Sequence, residues 1–245
     1  MQVELTPERK TARRRLKRQG VVPLYEDNHL LCIAKPAGLL SQGGPPGEVS
    51  LPDLLDSYRR QAEGKPGKAY IGLVHRLDRN VSGAMVVAKT SKAASRLSAL
   101  FRDRSEDLEK TYLAWIEHVP NEEEGTLVHR LRREGGVTRL AGAGDPDGRD
   151  ARLSYRIVAR GVQAARVEVR LETGLSHQIR AQFSIVGHPL VGDAKYGSPQ
   201  AKRVALHAAS LAFPHPVGGL PVLIEAPVPE DLVKIDTRLR MAPPV

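Results

Sequence analysis

The chain has 245 residues, a formal net charge of +9 and a single cysteine, Cys32. Its 41% hydrophobic and 27% charged residues describe an ordinary globular chain, long enough to bury a sizeable core without staples. One cysteine excludes an internal disulfide framework and a cysteine-based zinc site; the excess of bases favours a polyanionic partner, nucleic acid before an anionic membrane.

Residues 1–20 stand apart, with seven Lys or Arg against two acids. They lack an apolar signal core and are poor in hydroxyls, so neither secretion nor organelle import is expected and the cytoplasm is. Nothing approaches the roughly 18 consecutive apolar residues that a membrane span needs, so no membrane association is expected. Thr6-Pro7-Glu8 reads as a helix start. The segment reads equally as a basic arm for phosphates or as a solvated tail.

Residues 21–240 read as one continuous domain. "HLLCIAKPAGLL" is a strand stopped by Pro36 and Gly38, with Cys32 as a packed core thiol. "AYIGLVH" and "AMVVAKT" are apolar β-rich runs on either side of "HRLDRNVSGAM". "SKAASRLSALFRDR" places Ala94, Leu97, Leu100 and Phe101 at helical spacing behind Thr90-Ser91. "EKTYLAWIEHV" is a strand. Residues 120–150 are rich in Gly, Arg and acids and predict an exposed excursion. "ARLSYRIVAR" and "ARVEVRLETG" alternate as strands. "LSHQIRAQFSIVG" predicts a helix with Ile179, Phe183 and Val186 as its apolar stripe and His177, Arg180 and Ser184 on a solvated opposite face. "GHPLVGDAKYG" is a shaped loop, "RVALHAASLAF" and "PVLIEAP" are strands, and "PEDLVKIDTRL" is a closing helix. Short connections between many strands argue for an α+β fold with a mixed, largely antiparallel central sheet and flanking helices.

Three stretches carry the chemistry. Asp78 lies between two β-like runs, where a loop aims a side chain, and Arg76 and Arg79 flank it. Adjacent positive charge keeps a carboxylate ionised, fit to act as nucleophile or base, although a turn-fixing salt bridge explains the same residues. Tyr112 shares a strand face with Lys110; its ring suits stacking on a base and its hydroxyl suits proton handling, or it is sheet packing. His177 and Arg180 near a helix start suit a phosphate or carboxylate. Metal ligation is poorly supported: His75 and Asp78 have the spacing but no companion motif. No glycine-rich nucleotide loop is present, and "HRLD" without the other kinase signatures is not a kinase loop.

Together these stretches resemble the RluA-type pseudouridine synthases. "HRLDRNVSGAMVVAKT" is similar to that family's HRLDR-x-TSG motif, "EKTYLAWI" to its K-x-Y-x-A segment, and "GLSHQIRAQFSIVGHPLVGDAKYG" to its HQIR…GHP…GD block. "LHAASLAFPHP" and "VVPLYEDNHLLCIAKPAGLLS" match its remaining elements, in the family's order, from about residue 21 to 230. The resemblance implies a basic active-site cleft across the sheet and isomerisation of uridine to pseudouridine in structured RNA, rRNA or tRNA. Asp78 matches the catalytic aspartate, Tyr112 the tyrosine against the target base, and Arg180 the basic partner of the aspartate. His75, Arg76, Arg79, Lys110, His177 and Gln178 are the implied RNA-contacting set. The reaction moves the glycosidic bond from nitrogen to carbon 5 of one base, so it implies no metal and no cofactor. Whether the aspartate attacks the ribose or deprotonates it stays open. The family carries an acid and Thr where this chain has Asn80-Val81, and Arg-Thr where it has Leu175-Ser176; both departures bear on substrate choice. The N-terminal segment is too short for the small RNA-binding domain of some members, which leaves the basic arm as its expected substitute. A monomer with no protein partner is expected. The competing readings are a non-catalytic RNA-binding or ribosome-assembly factor on the same fold, which would have no need of the Asp78, Tyr112 and Arg180 triplet, and a metal-dependent nuclease, which lacks its carboxylate cluster.

Overall fold

A computed structural model describes residues 4–103, 105–199 and 201–238. In chain order the elements are α1 (Pro7–Arg18), β1 (Val22–Glu26), β2 (Leu30–Lys35), α2 (Leu51–Glu63), β3 (Gly72–Leu73), β4 (Ser82–Ala88) and α3 (Ser91–Arg102). There follow β5 (Glu109–Glu117), β6 (Glu124–Glu134), β7 (Val137–Leu140), β8 (Arg149–Arg160), β9 (Ala164–Leu171), α4 (Gln178–Ile185), β10 (Leu206–Pro214), β11 (Pro221–Glu225) and α5 (Glu230–Arg238). The result is an α+β protein whose strands pair mostly antiparallel, as the sequence predicts. Among the described residues no helix is long and apolar enough to cross a membrane. The chain divides into two compact units, Met1–Leu108 with Ala209–Pro227, and Glu109–Ala208 with Val228–Val245. The expected arm (residues 1–20) and domain (21–240) include residues 1–3, 104, 200 and 239–240, which lie outside the described residues.

In the first unit the strand order is β1-β2-β4-β10, with β3 beside β4 and β11 beside β10. Leu30 and Cys32 of β2, Val86 of β4, Ala93 and Leu97 of α3, and Phe213 of β10 form its core. Burial pushes the Cys32 thiol well up, so it is the inert core group expected. The sequence reading offers no element for 51–63, yet α2 carries clear signals. Ser50 donates its backbone N–H and its hydroxyl to Asp53, Pro52 sits in the first turn, and Gly64 closes the helix in the left-handed region. Leu51, Leu55, Tyr58 and Ala62 form its buried stripe.

Helix α1 is not an arm standing apart; it packs on α2 and β1. Thr6 caps it, and Ala12 and Leu16 are buried. Glu26, itself buried, accepts from Arg9 (2.7 Å), Lys89 (2.8 Å) and the Tyr58 hydroxyl (2.6 Å), so one carboxylate ties α1, α2 and the end of β4 together. Arg59 grips Glu63 through two nitrogens, each at 2.9 Å. Burial pushes the Glu63 carboxyl up, but hydrogen bonds from Arg59 and Lys65 outweigh it and bring it from near 4.5 down to about 2. A carboxylate with a depressed folded-state value adds stability above its unfolded value and loses it as pH falls through the folded one. Glu63→Gln should therefore cost about 1–3 kcal/mol at pH 7, with the difference from wild type closing between roughly pH 4.5 and 2. Urea unfolding of both proteins at pH 7 and pH 3 checks this; a constant difference contradicts it.

In the second unit the order is β5-β9-β8-β6-β7. The segment 120–150, expected as an exposed excursion, is largely exposed and contains the β6–β7 hairpin. Its alternation is masked because the more buried positions include Gly125 and His129 beside Leu127 and Leu131, while Thr126, Val128 and Arg130 are exposed. Gly135 and Gly136, both at positive φ, form the two-residue turn between Glu134 and Val137. Helix α4 is shorter than predicted and has no solvated face: Gln178 through Phe183 are all buried, Arg180 included, whereas Val186, assigned to the apolar stripe, is exposed. Trp115 of β5 is fully buried beside Leu232 of α5, and its indole N–H donates to Asp236 at 2.6 Å.

Candidate active site

Asp78 sits half-buried in the loop between β3 and β4. The antiparallel register of β2 on β4 pairs Lys35 with Gly83 and so brings "KPAGLLS" alongside "RLDRNVSG". The buried Lys35 ammonium donates to the carbonyls of Pro36 (2.8 Å), Leu39 (2.8 Å) and Arg79 (3.2 Å). The Ser41 hydroxyl donates to the Leu77 carbonyl (2.6 Å) and accepts the Leu77 N–H (3.2 Å). Gly38 N–H donates to Arg79 O at 2.8 Å, and Arg79 Nε returns a bond to Gly38 O at 3.0 Å. Both backbone neighbours of Asp78 are thus tied down. The Val81 N–H closes the turn on Asp78 O at 3.0 Å.

The neighbours of Asp78 divide by role. His75 Nε2 accepts the Val86 N–H at 3.0 Å, and the ring stacks on Phe101 at 4.5 Å, which anchors the loop to β4 and α3. Arg76 is exposed, with no acid at ion-pair distance among the described residues. Arg79, also exposed, pairs with Glu48. Of the positions that depart from the family pattern, Val81 is buried and Asn80 exposed.

In the second unit Lys110 and Tyr112 lie two residues apart on β5, half-buried, with Tyr112 opposite Val169 of β9. A Cβ on Gly174 would stand 3.4 Å from Lys110 Nζ, so this lysine lies against the loop that enters α4. Arg180 is held as a fork by Asp193, Nε to Oδ2 at 2.6 Å and the second nitrogen to Oδ1 at 2.8 Å, with its guanidinium 4.9 Å over the Tyr196 ring. His177 Nδ1 lies 2.9 Å from the Tyr196 hydroxyl, which also accepts the Thr138 N–H. Burial pushes that hydroxyl up, so it remains protonated at neutral pH. The sequence singles out "GHPLVGDAKYG" as a shaped loop without assigning Asp193 or Tyr196 a task; Arg180 lies 13 residues before Asp193, and no local pattern links them. Gly192 is required there, since a Cβ would meet Arg203 O at 2.5 Å. Gln178 has its amide satisfied inside the unit, accepting from Thr173 and the Leu175 N–H and donating to Arg152 O and Gln182. Leu175 packs with Leu131, Ala151 and Ala181, which accounts for an apolar residue where the family carries Arg. Among the described residues no three His, Cys, Asp or Glu side chains gather as metal ligands would.

A family model for RNA pseudouridylate synthase matches residues 29–185. The chain is 37% identical to the ribosomal large subunit pseudouridine synthase D of Xanthomonas campestris, over 89% of this chain and 69% of that protein. It is 32% identical to the ribosomal large subunit pseudouridine synthase C of Escherichia coli, over 90% and 70%. The chain belongs to the RluA-type pseudouridine synthases. The solved structure of human RNA pseudouridylate synthase domain containing 4 superposes with a TM-score of 0.79 at 25% identity, covering 97% of this chain and 98% of that one. The protein is accordingly an RNA-modifying isomerase that converts uridine to pseudouridine.

The Lys35 clamp fixes the backbone on either side of the Asp78 loop. Lys35→Met removes the donor from three carbonyls, an expected cost of about 2–4 kcal/mol, and lets the Asp78 loop relax. Steady-state kinetics should show kcat down at least about tenfold with KM nearly unchanged. A raised KM with kcat intact would mean that Lys35 serves RNA binding instead.

Proposed function

We propose that this synthase modifies uridines of large-subunit ribosomal RNA, with Asp78 as the catalytic carboxylate, Tyr112 against the target base and Arg180 as the basic group serving the same reaction. The observation that supports this best is the double tie on Leu77 and Arg79, which holds the residue between them in a preset position. Orientation of that kind is a large part of catalysis when no strong electrophile is brought to the site. The bond between ribose C1′ and base N1 breaks, the base turns, C1′ bonds to C5, the proton on C5 leaves for solvent and N1 takes one up. A carboxylate near the ribose starts the sequence by attack or by proton removal. The target base must leave its stack, at about a few kcal/mol, and a tyrosine ring in its place recovers part of that cost.

The remaining candidates take graded roles in this reading. Arg76 and Lys110 supply cationic contacts to the RNA backbone, and Arg79 does so in exchange with Glu48. His75, His177 and Gln178 act mainly by positioning, because their polar atoms already hold partners within the fold. The protein acts as a monomer in the cytoplasm. Ribosomal RNA is preferred over transfer RNA because the relatives named above act on the large ribosomal subunit. The test is to map pseudouridine at single-nucleotide resolution in rRNA and tRNA from cells with and without the protein. Loss of one or a few rRNA sites is expected; loss confined to tRNA contradicts the substrate, and no loss in any RNA favours a binding-only factor.

A further inference from the structure

Helix α1 is charged on nearly every side, yet its seven basic residues differ in their surroundings; Arg13 is half-buried and Arg15 donates to Gln61 of α2. Arg9 points inward to Glu26, beside the buried Ala12 and Leu16. Lys10, Arg14, Lys17 and Arg18 are exposed. At 3.6 residues per turn they occupy one side of the helix, within an arc of roughly 100°. Among the described residues none of these four has an acid at ion-pair distance, and Glu8, the one acid in α1's first turn, falls on another side of the helix. Four arginines of the second unit are different. Arg130 pairs with Asp150, Arg132 with Glu134 and Asp145, Arg152 with Glu172, and Arg156 with Glu168. At these four arginines the positive charge is paired, whereas Lys10, Arg14, Lys17 and Arg18 leave theirs standing along one side of α1.

That arrangement has a cost. Like charges at four-residue spacing, Lys10 with Arg14 and Arg14 with Arg18, destabilise an isolated helix by about 0.2–0.5 kcal/mol per pair. A helix of 12 residues is marginal alone even without such repulsion. The buried Glu26 junction and the apolar pair Ala12 and Leu16 hold it folded all the same. A helix kept in place against its own charge, with the charge aimed outward, is built for a partner that carries regularly spaced negative groups.

We propose that the outer face of α1 is a fixed docking platform for the phosphate backbone of the RNA substrate, outside the catalytic residues. It supplies sequence-independent affinity and register. The proposal rests on the chain being an RNA synthase and adds where the RNA is held. Each cation that neutralises a phosphate releases a counterion and steepens the fall of affinity with salt, by close to one unit of log–log slope per contact.

The probe is a fluorescently labelled 30-nucleotide RNA hairpin, titrated between 50 and 300 mM KCl. The variant K10Q/R14Q/K17Q/R18Q should remain folded by circular dichroism, lose affinity at least about tenfold at low salt and lose about three units of slope. Its single-turnover isomerisation rate at saturating rRNA should match wild type. The control R152Q/R156Q, whose arginines are already paired with acids, should shift the slope by less than one unit. A folded quadruple variant with the wild-type slope overturns the platform. An equal loss in the control overturns its assignment to α1 in favour of general surface charge. If wild type itself forms no pseudouridine in rRNA, the substrate reading fails separately from the binding result.

Discussion

Asp78→Asn should abolish pseudouridine formation, with a single-turnover rate at least about 10³-fold below wild type, while RNA affinity changes by less than about threefold. The substitution keeps the shape of the side chain and removes its charge and basicity. The ties on Leu77, Arg79 and Val81 all run through the backbone or through other side chains, so the loop should persist. A carboxamide neither attacks a ribose carbon nor removes a proton at a useful rate. Conversely, most RNA affinity is expected from cationic contacts with phosphates, which the substitution does not touch. Filter binding and single-turnover assays on the same preparation separate the two quantities. If rate and affinity fall together, Asp78 belongs to the binding surface.

Asp193→Asn should have the second largest effect, on stability as well as rate. Arg180 and Asp193 form a buried fork, with side chains about 10% and 1% exposed. Removing one charge of such a buried pair breaks the fork that holds the other, which costs about 3–5 kcal/mol. The Tyr196 ring under the guanidinium offsets only a fraction of that. Thermal unfolding should shift down accordingly, and Trp115 fluorescence reports it, since the chain's only tryptophan lies in the same unit. At temperatures where the variant remains folded, turnover should fall with little change in KM, because Arg180 loses its fixed orientation. Asp193→Glu, which keeps the charge, should restore part of both. A variant with wild-type stability would mean that the arginine draws its compensation elsewhere.

Much of this was legible in the sequence, and the gaps have physical causes. The strands β2, β4, β5, β8 and β9 follow from apolar runs and period-two alternation, and α3 from its spacing behind Thr90. Helix α2 escapes periodicity-based reading because its polar residues crowd the stripe, although the capping pair Ser50 and Asp53 marks its start. The β6–β7 hairpin reads as loop because a largely exposed hairpin at the end of a sheet needs few apolar residues. The inward turn of Arg9 is invisible locally, since its partner Glu26 lies 17 residues away and is recognisable only once buried. The same holds for Arg180: the spacing suggests a solvated face, and only the fold shows that Asp193 allows it to be buried. The motif residues were identifiable from their types and order, whereas Lys35 and Ser41, which hold the Asp78 loop, contribute through backbone carbonyls that no side-chain pattern reveals.

The most direct test of the central claim uses the proton that the reaction expels. Ribosomal RNA carrying tritium at carbon 5 of its uridines is incubated with excess wild-type or Asp78→Asn protein in single turnover. Wild type should release tritium to water in step with pseudouridine formation at the mapped sites, and the variant should release none above background while still retaining the RNA on a filter. Tritium release by Asp78→Asn at the wild-type rate would contradict the assignment of Asp78 as the reacting carboxylate.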